Sequence, residues 1–129
     1  MGAPSRKLRV LIVEDERFVV RALERGLSQL AEVVSCSCVD EALAVLAADD
    51  GFDVVMSDLG LVRASGLELY AALEGRHDHL QRRFILMTGE DLTNARVEVE
   101  ILRKPFDLDT VRTLITRVAG PMGEHNETR

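Results

Sequence analysis

A chain of 129 residues has room for one ordinary domain, and none of its apolar runs approaches membrane-spanning length. A formal charge of -6, spread over a composition 47% hydrophobic and 29% charged, is that of a globular protein in water and argues against nucleic-acid binding, which needs clustered Lys and Arg. With aromatic residues at only 4%, the core must be built from Leu, Val, Ile and Ala.

After a polar lead over 1–7, residues 8–13 (Leu-Arg-Val-Leu-Ile-Val) read as a buried strand. This run is too short for a signal-peptide core and stops at Glu14-Asp15-Glu16, so the expected location is the cytoplasm. Over 16–30, Val19, Ala22, Leu23, Leu27 and Leu30 recur at helical spacing. A second strand is predicted over 33–38 and a second helix over 40–48, packed through Ala42, Leu43, Val45 and Leu46 and stopped by Asp49-Asp50-Gly51. Cys36 and Cys38 would face one side of that second strand as reduced thiols; C-x-C has neither the thioredoxin nor the zinc-ribbon spacing.

The third strand is predicted over 52–57. A third helix follows over 67–73, with Leu67, Tyr70, Ala71 and Leu73 available for packing. His77 and His79 fall in a polar loop and are expected at the surface. A fourth strand runs over 84–87. Segment 90–98 is poor in helix formers, so any fourth helix is shortened to a turn or two. A fifth strand covers 99–102, and Asp107 can cap a last helix that turns Val111, Leu114, Ile115 and Val118 inward. Residues 120–129 read as a tail or the start of a linker. Five apolar strands alternating with helices imply an α/β fold, a doubly wound five-stranded parallel sheet of flavodoxin-like topology over 8–119.

In such a sheet, ligands collect outside the carboxyl ends of the strands. Glu14-Asp15 follow the first strand, Asp58 the third, and Lys104-Pro105 the last. The chain has only two lysines, Lys7 and Lys104, which singles out an ammonium at that edge. Like charges about 4 Å apart repel by roughly 4 kcal/mol at an effective dielectric near 20, so a group of carboxylates there calls for a cation. Acids joined by one ammonium suit a divalent metal and a phosphoryl group better than they suit a core.

Four segments in order, VLIVEDE (10–16), DVVMSDLGLVRASGLEL (53–69), LMTGE (86–90) and LRKPFD (102–107), resemble the receiver domain of two-component response regulators. The likeness runs from about residue 8 to 118 and is greatest to receivers attached to hybrid sensor histidine kinases. It implies that Asp58 is the phosphoryl acceptor, and that Glu14, Asp15, Asp58 and the Gly60 backbone carbonyl hold Mg2+. Thr88 and Lys104 would contact the phosphoryl oxygens, across a usually cis Lys104-Pro105 bond. The implied partner is a histidine kinase or histidine phosphotransfer domain, and the implied role is signalling, not turnover of a separate substrate. Glu90 would border the pocket.

Three features depart from the common pattern. Val62 stands where proline is usual, Ile101 stands where many receivers carry Tyr or Phe, and Lys104 follows Thr88 by only 16 residues. They motivate the alternative of a receiver-like interaction module that is never phosphorylated. A phosphatase with an aspartyl intermediate would want a second carboxylate two residues after Asp58, where Gly60 stands.

Overall fold

The computed structural model describes residues 7–61, 64–90 and 99–120. Its elements run β1 (Leu8–Val13), α1 (Arg17–Gly26), β2 (Ala31–Cys36), α2 (Val39–Ala48), β3 (Val54–Asp58), α3 (Gly66–Ala72), α4 (Asp78–Gln81), β4 (Phe84–Thr88), β5 (Glu100–Arg103) and α5 (Leu108–Ala119). All strand pairs are parallel, in the order β2-β1-β3-β4-β5. The predicted doubly wound sheet is therefore present, with the strand order reversing between β1 and β3.

Side chains alternate across each strand and so feed two cores. Val10, Ile12, Met56 and Met87 pack on one face with Leu23, Leu27, Val111 and Ile115. Leu11, Val13, Val55 and Leu86 pack on the other with Ala42, Leu46 and Leu69. Strands covered on both faces need nearly unbroken apolar runs, and β1, β3 and β4 have them.

Several boundaries differ from expectation. α1 stops at Gly26, because the turn over 27–30 still delivers Leu27 to the core and so prolongs the helical spacing beyond the helix. Ala22 is exposed: the buried stripe follows Val19, Leu23 and Leu27, and Ala22 lies to one side of it. β2 begins two residues earlier than predicted, since its register pairs Leu8 with Ala31 and Val13 with Cys36. Only Cys36 is then on the strand, while Cys38 occupies the N-cap of α2, so the two do not share a strand face. Both thiols are free, and burial, with smaller contributions from Glu41 and Cys38, pushes the Cys36 thiol up to about 11. In α3 Gly66 and Leu69 are buried and Ala71 is exposed.

His77 and His79 are not simple surface residues. His77, the N-cap of α4, donates Nδ1–H to Asp50 Oδ2 (2.7 Å), and His79, inside α4 and not in a loop, donates Nε2–H to the Asp50 carbonyl (3.0 Å), tying the start of α4 to the segment before β3. Of the segment 90–98, expected to hold a shortened fourth helix, residues 91–98 lie outside the described residues, as do Val62, 1–6 and 121–129. Among the described residues, no helix is long and apolar enough to cross a membrane.

Asp107 caps α5 as predicted, its Oδ1 accepting from the Thr110 N–H at 2.8 Å. That bond, more than any other, holds the Asp107 carboxyl below its ordinary 3.8. A depressed carboxyl stabilises the fold above its unfolded value, and the contribution is lost as pH falls through the folded value. Asp107→Ala is therefore expected to melt below the parent by a constant margin from about pH 5 to 8, with the gap closing below about pH 4. Thermal melts of both proteins across that range check it.

Candidate functional site

β1 and β3 are adjacent and in register, Val13 opposite Ser57, so the residues after β1 and the last residue of β3 emerge side by side. Glu14 and Asp15 leave the sheet there, next to Asp58. Carboxylate oxygens from Glu14, Asp15 and Asp58 all lie within 4.8 Å of one another. Glu14 is kept close to the sheet because its N–H donates to the Cys36 carbonyl (2.9 Å), continuing the β1–β2 ladder by one residue.

Lys104 reaches this group from the far side of the sheet. Its N–H donates to the Thr88 carbonyl (2.8 Å), extending the β4–β5 ladder, and the cis Lys104-Pro105 peptide bond follows. The ammonium Nζ then lies 3.0 Å from Glu14 Oε1 and 3.0 Å from Asp58 Oδ1. Glu14 Oε2 accepts from the Glu16 N–H at 3.1 Å.

The Glu14–Lys104 contact acts unequally on its partners. Burial opposes the Lys104 charge, yet the hydrogen bonds to Glu14 and Asp58 outweigh it and the ammonium titrates above its ordinary value. Burial raises the Glu14 carboxyl above its ordinary value; the bonds from Lys104 and Glu16 offset this only in part, and the Asp58 charge adds to it. An ion pair alone would lower the acid, so the raised Glu14 is a desolvation effect, as expected for a side chain with no exposure. Asp15, by contrast, is half-exposed and takes no side-chain hydrogen bond or ion pair among the described residues. Glu14 and Asp15 also line an open cleft of about 310 Å3 with Arg17, Arg21 and Glu41.

Three carboxylates and one ammonium leave excess negative charge in a space a few ångströms across. The donor set is all oxygen, with one member free, and it fits a hard divalent cation such as Mg2+ that keeps several of its own waters. Gly60 follows β3 in an exposed position where an added Cβ would meet nothing within 4 Å, so its surroundings are open.

Thr88 ends β4, one residue beyond the Met87 that pairs with Asp58. Its hydroxyl oxygen accepts from the Glu90 N–H at 2.9 Å, which leaves the O–H proton available to another acceptor. Glu90 is exposed, and Ile101 is half-buried against the α2–α3 side of the sheet.

Sequence reasoning missed two residues that shape the site. Ser65 and Glu68 form a reciprocal capping box at the start of α3, with Glu68 N–H to Ser65 Oγ at 3.2 Å and Ser65 N–H to Glu68 Oε1 at 3.0 Å. This fixes Gly66 against the Asp58 backbone, where a Cβ would sit 2.5 Å from the Asp58 carbonyl oxygen. The Ser-Gly-Leu-Glu spacing was the available signal. At the opposite end of the sheet, the Arg9 guanidinium stacks 4.4 Å over Phe52 and pairs with Glu32 and Asp49.

The response regulator receiver domain model matches residues 10–116. Response regulator protein PmrA of Pseudomonas aeruginosa is 32% identical over 135 residues; the match covers 95% of this chain, which spans only 60% of PmrA's length. Chemotaxis response regulator CheY4 of Vibrio cholerae superposes with a TM-score of 0.77 at 25% identity, covering 88% of this chain and 99% of that one. The receiver domain of hybrid histidine kinase CckA shares the fold, with a TM-score of 0.75 at 24% identity over 87% of this chain and 99% of that one.

Proposed function

This chain belongs to the response regulator receiver domain family, and we propose that Asp58 is the residue on which it accepts phosphate in two-component signalling. Receiver domains bind Mg2+ through acidic residues and interact with histidine kinases or phosphotransfer proteins. For this chain the proposed donor is the phosphohistidine of such a protein in the cytoplasm. The supporting observation is the trio of carboxylates within 4.8 Å served by a single ammonium. An interaction module that is never phosphorylated has no use for that crowding, which works against folding.

Asp58 Oδ attacks phosphorus in line as the P–N bond to the donor imidazole breaks, and the leaving nitrogen takes up a proton. When bound, Mg2+ would be held by Asp15, Asp58 and the Gly60 backbone carbonyl, and would supply charge neutralisation for the crowded carboxylates and the phosphoryl oxygens. Lys104 offers its ammonium to a phosphoryl oxygen, and Thr88 offers its free O–H to another. The resulting charge change at the strand ends biases two states of the domain, and the phosphoryl group can shift them only by its differential stabilisation. No turnover of a separate substrate is involved.

Metal removal tests this reading. Incubation with acetyl phosphate and Mg2+ is expected to load one phosphoryl group per chain; excess EDTA should stop the reaction and added Mg2+ restore it. Equal loading in EDTA would contradict the proposed role of the carboxylates.

A further inference from the structure

We infer that Ser57 is a positioning residue for the phosphoryl transfer, its buried hydroxyl holding the end of β3 so that the Asp58 carboxylate stays in the site; this rests on the reading of Asp58 as acceptor. β3 lies between β1 and β4, and the peptide groups of successive residues point alternately to these two neighbours. The Leu59 N–H donates to the Met87 carbonyl at 2.8 Å, so Leu59 faces β4 and the Asp58 carbonyl faces β1. By then β1 has ended at Val13, opposite Ser57, and the Glu14 N–H turns away to the Cys36 carbonyl. The donor next in line for the Asp58 carbonyl would be the Asp15 N–H, and no such bond is made among the described residues. The Ser57 hydroxyl takes that place, Oγ–H donating to the Asp58 carbonyl at 3.0 Å from a fully buried side chain.

Packing alone does not explain a hydroxyl here. Val54, Val55 and Met56 fill the preceding buried positions of β3 with apolar side chains, and a hydroxyl buried among them costs free energy unless it is bonded. The start of α3 closes over the bond, since a Cβ on Gly66 would lie 3.0 Å from Ser57 Oγ and 2.5 Å from the Asp58 carbonyl oxygen. The bond fixes the peptide group that follows Asp58, and with it the direction in which the Asp58 side chain leaves the strand. Something must do so, because the Glu14 and Asp15 carboxylates repel Asp58 on the side where the ladder has run out. Unlike the Lys104 contact, this hold does not depend on the charge of the Asp58 carboxylate, so it persists while that charge is consumed by the bond to phosphorus.

Ser57→Ala is expected to fold with a lower urea midpoint, because it leaves a buried carbonyl without a donor. At saturating Mg2+ and acetyl phosphate its uptake should slow about tenfold or more, the scale of a small displacement of a reacting group, and neither more metal nor more phosphodonor should recover the rate. Ile115→Val, in α5 on the opposite face of the sheet, is the control: it also lowers the urea midpoint and should keep the parent rate. Hydrogen exchange at the Leu59 N–H should quicken in Ser57→Ala by more than the global loss of stability accounts for. Uptake at the parent rate by Ser57→Ala, or an equal slowing in Ile115→Val, would overturn the inference. If Ser57→Ala does not fold, Ser57→Cys, similar in size and a weaker donor, carries the same test: slower uptake is expected, and the parent rate would overturn it. If the parent takes up no phosphate at all, the acceptor reading fails, and Leu59 exchange still decides whether Ser57 holds the strand end.

Discussion

Asp58→Asn is expected to take up no measurable phosphate from acetyl phosphate and Mg2+, a loss of at least about a thousandfold in rate, because an amide oxygen cannot serve as the nucleophile. The same change should leave the fold intact or make it more stable. It removes one of three carboxylates crowded within 4.8 Å, where each like-charged pair costs up to roughly 4 kcal/mol, and Lys104 keeps its contact with Glu14. A residue kept for stability would show the reverse: destabilisation on substitution, with phosphate uptake unaffected. Intact-mass measurement and a urea melt of one variant preparation separate the two.

Gly66→Ala should be the most damaging of the smallest possible changes. The added Cβ would lie 2.5 Å from the Asp58 carbonyl oxygen, 2.7 Å from Leu86 Cδ1 and 3.0 Å from Ser57 Oγ. Leu86 can yield a little, but the Asp58 carbonyl belongs to the backbone at the end of β3. Overpacking of this kind costs about 1–3 kcal/mol, and the better helix propensity of Ala returns at most about 1 kcal/mol. The expected result is a lower urea midpoint with an unchanged slope. Phosphate uptake should slow as well, because the strain is relieved by moving Asp58, the proposed acceptor. Gly60→Ala, whose Cβ would meet nothing within 4 Å, is the matched control and should be close to neutral in stability.

Much of this was legible in the chain because a parallel sheet covered on both faces forces its strands to be apolar throughout. Runs such as Leu-Arg-Val-Leu-Ile-Val and Phe-Ile-Leu-Met therefore announce themselves. Glu14, Asp15, Asp58 and Lys104 stood out for the complementary reason, as charges placed where apolar runs stop. What local pattern could not give was pairing. His77 and His79 looked like loop residues because their partner, Asp50, is 27 residues upstream of His77. The early start of β2 at Ala31 reflects its register against β1, and the excess length predicted for α1 reflects a turn whose Leu27 packs like a helical residue. For the same reason, position alone placed Glu14 in the site without revealing that its carboxylate is committed to Lys104.

The central claim is that the charge gathered at the carboxyl edge of this sheet exists to place one phosphoryl group on one carboxylate. After reaction with acetyl phosphate and Mg2+, borohydride reduction of the acyl phosphate followed by peptide mass mapping reports the modified residue directly. Modification at residue 58 alone is the result expected. A phosphoryl group found on Glu14, Asp15 or any other side chain, or none at all in the presence of Mg2+, would contradict it.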